Sequence, residues 1–273
     1  MDSTMTDHPS RLVMLIVLFL STTFAAGAQQ RERSTSDPKS EERAPASAAA
    51  SAQDVPKAAR DTLDRALKMS QAGRTVVALA LMQEAVKIYP DFFDAHLALA
   101  NALIKAGRLD EAIAELDQAR RIDQNDHRPY QGFGIVLILQ GKYPLAAAVF
   151  AEAFRLNPSE PYLLLMRGVA LVKTATGIDP SKSETAAADR KHLLDEAEQA
   201  LTKAYNLSDK KLVEAHLYLA SLYDKRGEYG RAADELERYL LMSPGIKNAD
   251  EIQNIIQNLR KQASAGQSPQ PPQ

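Results

Sequence analysis

Five histidines, His8, His96, His127, His192 and His216, are the residues best suited to metal binding or proton transfer in a chain without cysteine or tryptophan. His192 and Glu196 stand four apart, one turn of helix, which would aim an imidazole and a carboxylate at one ion from the same face. No third ligand follows at a matching spacing, so no metal site is assigned. His96 and His216 occupy corresponding places in similar segments and read as packing residues. Gly132-Phe133-Gly134 begins like a dinucleotide-binding loop, but the third Gly is missing and the surroundings read as helix, not as a turn after a strand. Gly141-Lys142 leads into Tyr143 and lacks the phosphate-loop pattern. Neither G-x-S-x-G nor H-E-x-x-H occurs. The carboxylates are scattered over polar helix faces. The expectation is a protein without catalytic residues, metal or cofactor.

Composition narrows the class further. The absence of Cys rules out a disulfide scaffold, a thiolate zinc site, an iron–sulfur cluster and a Cys nucleophile. Lys and Arg total 33 against 35 Asp and Glu, a net charge of -2, which argues against a dedicated nucleic-acid binder. A hydrophobic share of 45% is enough for a folded core in a chain of 273 residues.

The elements that would position any site come from a repeat. Gly73, Gly107 and Gly141 are 34 residues apart, and Gly227 sits in a similar segment. Five residues after each comes Ala78, Ala112, Ala146 or Ala232. Four further on stands Met82, Leu116, Phe150 or Leu236, and three beyond that Ala85, Ala119, Ala153 or Tyr239. These positions share one helix face, where small residues admit a neighbouring helix and the large one fills the gap. The Gly permits the left-handed backbone of a helix–turn–helix. Pro90, Pro158 and Pro244 stop the second helix, with Gln124 in the corresponding place of the second unit. Each unit is thus an antiparallel helix pair whose apolar side is buried only by stacking on the next pair.

The first helices carry His96, Leu99, Ala100 and Leu103, then Tyr130, Phe133, Gly134 and Leu137, then His216, Leu219, Ala220 and Tyr223. With the residues above, this resembles the tetratricopeptide repeat, an aromatic, Leu-Gly or Leu-Ala, Tyr, Ala, large apolar and Pro in order. The resemblance covers about Ala59 to Lys247. It implies an all-α, right-handed superhelical solenoid of about five helix-turn-helix units with a C-terminal capping helix. The repeat domain is assigned to 57–262, with units 59–92, 93–126, 127–160, 161–211 and 213–246 and a cap helix over 248–262. The first unit is degenerate, with Thr62 and Arg65 where an aromatic and Leu are expected. The fourth has an insertion at about 174–189, read as longer helices joined by a longer loop.

The flanks read differently. Leu12–Leu20 is an unbroken apolar run, preceded by Arg11 and followed by Ala26-Gly27-Ala28, the layout of a signal peptide over 1–28 cleaved after Ala28. The alternative is an inner-membrane anchor through 12–28. Residues 29–56, rich in Ser, Ala, Pro and mixed charge, read as a disordered linker, and 263–273 as a disordered tail.

In tetratricopeptide proteins the first helices of successive units line a concave groove for peptides. Carried over, the resemblance places Leu97, Asn101, Ile104, Gln131, Ile135, Ile138, Leu165, Val169, Val172, Leu217 and Ser221 in that groove, with Asp224 at its end. An apolar lining suits a peptide or amphipathic helix of a protein partner. Of the Lys, Asn and Arg that grip chaperone carboxylates in one sub-type, only Asn101 is in place. The functional expectation is a non-enzymatic protein–protein interaction adaptor of the bacterial cell envelope, periplasmic or extracellular. The alternative is a structural assembly factor of an envelope or secretion complex, docking through its convex face and insertion. Nucleic acid is not expected as a partner, and membrane only through an uncleaved N-terminal segment.

Overall fold

In the computed structural model, residues 55–265 are described. The expected signal segment, all but the last two residues of the linker, and the tail beyond 265 lie outside the described residues. Eleven helices and no strands make up the described part. They fall in two compact units, residues 55–212 and 213–265 of the described part.

The first unit holds four helix pairs: α1 (Lys57–Gln71) and α2 (Thr75–Ile88), α3 (Phe93–Lys105) and α4 (Leu109–Ile122), α5 (His127–Leu139) and α6 (Tyr143–Leu156), α7 (Pro161–Thr176) and α8 (Glu184–Leu207). Each pair packs internally, and α2 on α3, α4 on α5 and α6 on α7 join them in a row. The turns between paired helices explain their glycines. Gly107 has φ +74°, and the amide of Arg108 reaches back to the carbonyl of Leu103 at 2.9 Å. Gly141 repeats the arrangement at φ +72°, with Lys142 donating to Leu137 at 2.8 Å. This six-to-one bond closes the helix end and needs a residue that accepts positive φ.

The second helices bury the positions that the spacing put on one face. Ala112, Leu116 and Ala119 of α4, and Ala146, Phe150 and Ala153 of α6, are fully enclosed. Small residues on the first helices receive them. A Cβ placed on Gly132 would lie 2.5 Å from Leu116 Cδ2, and one on Gly134 would lie 2.6 Å from the Phe150 ring. Gly168 stands likewise against Leu201, at 2.6 Å. Gly132-Phe133-Gly134 is therefore a packing surface within α5.

Capping marks the starts of the later helices. Asp126 accepts from the Arg128 amide at 2.8 Å, and Ser183 from the Ala186 amide at 3.0 Å. The fourth pair is elongated. α7 has 16 residues against 13 in α3 and α5, and α8 has 24 against 14 in α2, α4 and α6. Ten extra residues add about 15 Å of helix.

The second unit comprises α9 (Ala215–Arg226), α10 (Tyr229–Met242) and α11 (Ala249–Ala265). Ile252, Ile256 and Leu259 of α11 are buried, and Arg260 pairs with Asp234 at 2.6 Å and with Glu237 at 3.0 Å on α10. Ile255 is half-buried. The last helix runs three residues past the predicted end at 262, so Ala263, Ser264 and Ala265 belong to helix and not to the tail. Ser264 donates its hydroxyl to the Arg260 carbonyl at 2.9 Å, within the helix.

Candidate functional site

The predicted groove residues do not all reach the surface. In the first unit, Asn101 of α3 is exposed, and Gln131, Ile135 and Ile138 of α5 are half-buried. The last three follow one another at four and three residues, on one face of α5. α3 and α5 are in direct contact, so these four residues belong to neighbouring helices.

The others are buried. Leu97 and Ile104 are both 7% exposed and belong to the continuous core that runs from Val55 to Val136. Leu165, Val169 and Val172 are 3, 3 and 7% exposed. Four consecutive residues of α7, Leu163 to Met166, are buried, and so are Gly168 to Val172. In the second unit every residue from Ala215 to Tyr223 is buried, Leu217 and Ser221 included. Asp224 is half-buried.

Polar side chains join the helices near this surface. His96 is buried on α3, with Nδ1 2.7 Å from Glu115 Oε2 on α4 and Nε2 2.8 Å from the carbonyl oxygen of Pro90. In the second unit His216 Nδ1 meets Glu235 Oε2 at 2.6 Å, again across a helix pair. Both pairs are 19 residues apart. Sequence reasoning placed the two histidines as packing residues but missed their carboxylate partners. The repeated His-to-Glu spacing was the signal available.

A second junction lies between the second and third pairs. Arg128 donates to Asp126 and, at 2.9 Å, to Asp94, and its guanidinium lies 4.7 Å over the Phe93 ring. Burial alone would raise the Asp126 pKa. The hydrogen bonds from Arg128, with the charges of Arg128 and His127, more than offset this and hold the carboxyl below its ordinary value.

The insertion presents a different surface. His192 is 72% exposed on α8 and 3.0 Å from Glu196, which also receives Arg167 at 2.9 Å. Among the described residues no cluster of three metal-ligating side chains occurs. Arg167 takes up the Glu196 carboxylate, so the His192–Glu196 pair is one edge of a surface ion-pair cluster. Lys182, Lys191 and Asp189 of the hairpin are exposed.

Stacked helix pairs with glycine turns and alternating small and large contacts define a helical-repeat protein, the class whose members act by presenting surfaces. Profiles of the tetratricopeptide repeat match residues 69–133 and 133–174. The chain is a tetratricopeptide repeat protein. Superkiller protein 3 of Schizosaccharomyces pombe is 26% identical over 155 residues, 57% of this chain and 10% of that protein. The chain therefore spans about a tenth of that curated relative's length. Among solved structures, PilW, described as a widely conserved type IV pilus biogenesis factor, superimposes with a TM-score of 0.62 at 16% identity. That match covers 77% of this chain and 90% of PilW. YrrB, described as a tetratricopeptide repeat protein with an unusual peptide-binding site, gives 0.52 at 17% identity, covering 78% of this chain and all of YrrB. The fold is that of protein-interaction scaffolds, and proteins of this family bind other proteins.

Proposed function

We propose that the protein is an exported bacterial adaptor that holds a peptide or helix of another envelope protein against α3 and α5, acting by positioning and without chemistry of its own. The observation that carries this reading is the strip of Asn101, Gln131, Ile135 and Ile138. Half-buried aliphatic side chains beside two amides suit an amphipathic segment. Its apolar side would cover Ile135 and Ile138, while its polar groups would meet Asn101 and Gln131. The proposed site is confined to α3 and α5, where Asn101 is exposed and Gln131, Ile135 and Ile138 are half-buried.

Export is supported by the apolar run Leu12–Leu20 and the small residues to Ala28. The likeness to PilW and YrrB agrees with an envelope or peptide-binding role. The test is binding of envelope-protein peptides to the full chain, compared with Ile138→Asp. Binding that weakens tenfold or more in the variant, at unchanged helicity, supports the reading. Equal binding by both proteins rejects it.

A second reading rests on the elongated α7–α8 pair. The 24 residues of α8 project a charged hairpin beyond the other helix pairs, a shape suited to docking in a larger assembly. Under this reading Lys182→Glu with Lys191→Glu abolishes assembly and Ile138→Asp does not.

A further inference from the structure

We propose that His96 is a protonation-operated clasp. As the imidazolium it ties α3 to α4 and to the turn over 89–92. On losing its proton it releases one tie, so the second helix pair loosens as pH rises.

The geometry favours the charged ring. Nδ1 faces the Glu115 carboxylate at 2.7 Å, and Nε2 faces the Pro90 carbonyl oxygen at 2.8 Å. A carbonyl oxygen only accepts, and so does an ionised carboxylate. With the Glu115 carboxylate ionised, both ring nitrogens donate, which requires the charged ring. A neutral imidazole carries one N–H. Whichever nitrogen lost its proton would point a lone pair at an oxygen, inside a region where the His96 side chain is 5% exposed. Leaving such a buried acceptor unpaired is costly.

The three tied segments meet where the first two helix pairs join. Pro90 ends the first pair, Phe92 precedes α3, and Glu115 lies midway along α4. The same ring therefore holds the turn between the pairs and the contact within the second pair. Asn101 stands five residues further along α3, so loosening reaches the helix that carries part of the candidate surface.

Among the described residues, the charged groups acting on the ring are Glu115 from α4 and Asp91 from the turn, with none from α2 or α5, which also pack on α3. Burial is the largest single influence and works against the charged ring. The hydrogen bonds to Glu115 and Pro90, with the charges of Glu115 and Asp91, outweigh it, and the net pKa is raised. A raised folded value means that the clasp contributes fully below about pH 6.5, the ordinary histidine value. The contribution is lost as pH rises through the folded value.

The test is a ring-nitrogen NMR titration of the full chain labelled at histidine, from pH 5.5 to 9, with His96 assigned by the signal missing in His96→Gln. The clasp predicts that His96 titrates above free histidine in the same buffer. It also predicts that Glu115→Gln lowers its proton affinity about tenfold, the scale of a lost carboxylate partner. Hydrogen exchange of the amides from Phe92 to Ala100, corrected for intrinsic base catalysis, should then be faster at pH 8.5 than at pH 6 in the wild type, and this difference should vanish in Glu115→Gln. Titration of His96 at or below free histidine overturns the proposal. So does a protection difference that is the same in wild type and variant. If Glu115→Gln does not fold, the wild-type titration alone decides.

Discussion

Arg128 and Asp94 stand 34 residues apart, one repeat, and meet at 2.9 Å across the junction of the second and third helix pairs. Arg128 also holds the Asp126 cap and stacks over Phe93. One side chain thus joins the start of α5 to the start of α3. Arg128→Met keeps the aliphatic stem and removes the charge. About a third of the Arg128 side chain is exposed, so solvent screening limits the ion pairs, and the stacking adds a similar small amount. The expected cost is about 1 kcal/mol, seen as a lower urea midpoint at unchanged slope.

Asp126 gives an acid-side signature at the same junction. Its folded pKa lies below the ordinary carboxylate value, so its contribution is present above that value and is lost as pH falls through the folded one. Asp126→Asn should therefore lower stability at pH 6, and the difference from wild type should narrow below about pH 4. Urea titrations at pH 6 and pH 3 measure both.

The glycines inside helices divide by what faces them. Gly134→Ala drives a methyl group into the Phe150 ring and should cost about 1–3 kcal/mol through overpacking. Gly230, in the first turn of α10, has open space around the same position. Gly230→Ala should be neutral or stabilising by up to about 1 kcal/mol, from helix propensity. Thermal unfolding of the two variants separates close packing from backbone preference.

Much of this fold was legible because the repeat ties each residue type to one contact. Ala112, Leu116 and Ala119 had to share a face, and Gly107 had to turn the chain. The groove was less legible. Its residues were assigned by place in the repeat, and place does not reveal how exposed each side chain is. Leu165 and Val169 hold the same positions in α7 as Gln131 and Ile135 hold in α5, yet they are buried where those two are half-buried. The polar ties were hidden for another reason. His96 and Glu115 lie on different helices, and their meeting depends on how those helices cross, which periodicity within either helix does not contain.

Export makes a prediction independent of the folded part. Expressed in a bacterium, the chain should be recovered from the envelope or medium with Gln29 as its first residue. Intact mass measurement checks this. A chain that retains residues 12–28 in the membrane fraction would favour the anchored form instead.

The central claim is that a partner segment lies on α3 and α5. Its most direct test is a photo-crosslinking residue placed at Gln131, compared with the same residue at Gln118 on α4, in the full chain within native envelope. The account predicts that one defined envelope protein is captured at position 131 and not at 118, through a single short segment identified by peptide mapping. It also predicts that Ile138→Asp abolishes this capture while helicity is unchanged. Capture of that protein at 118 instead, or its persistence at 131 in the Ile138→Asp protein, would contradict it.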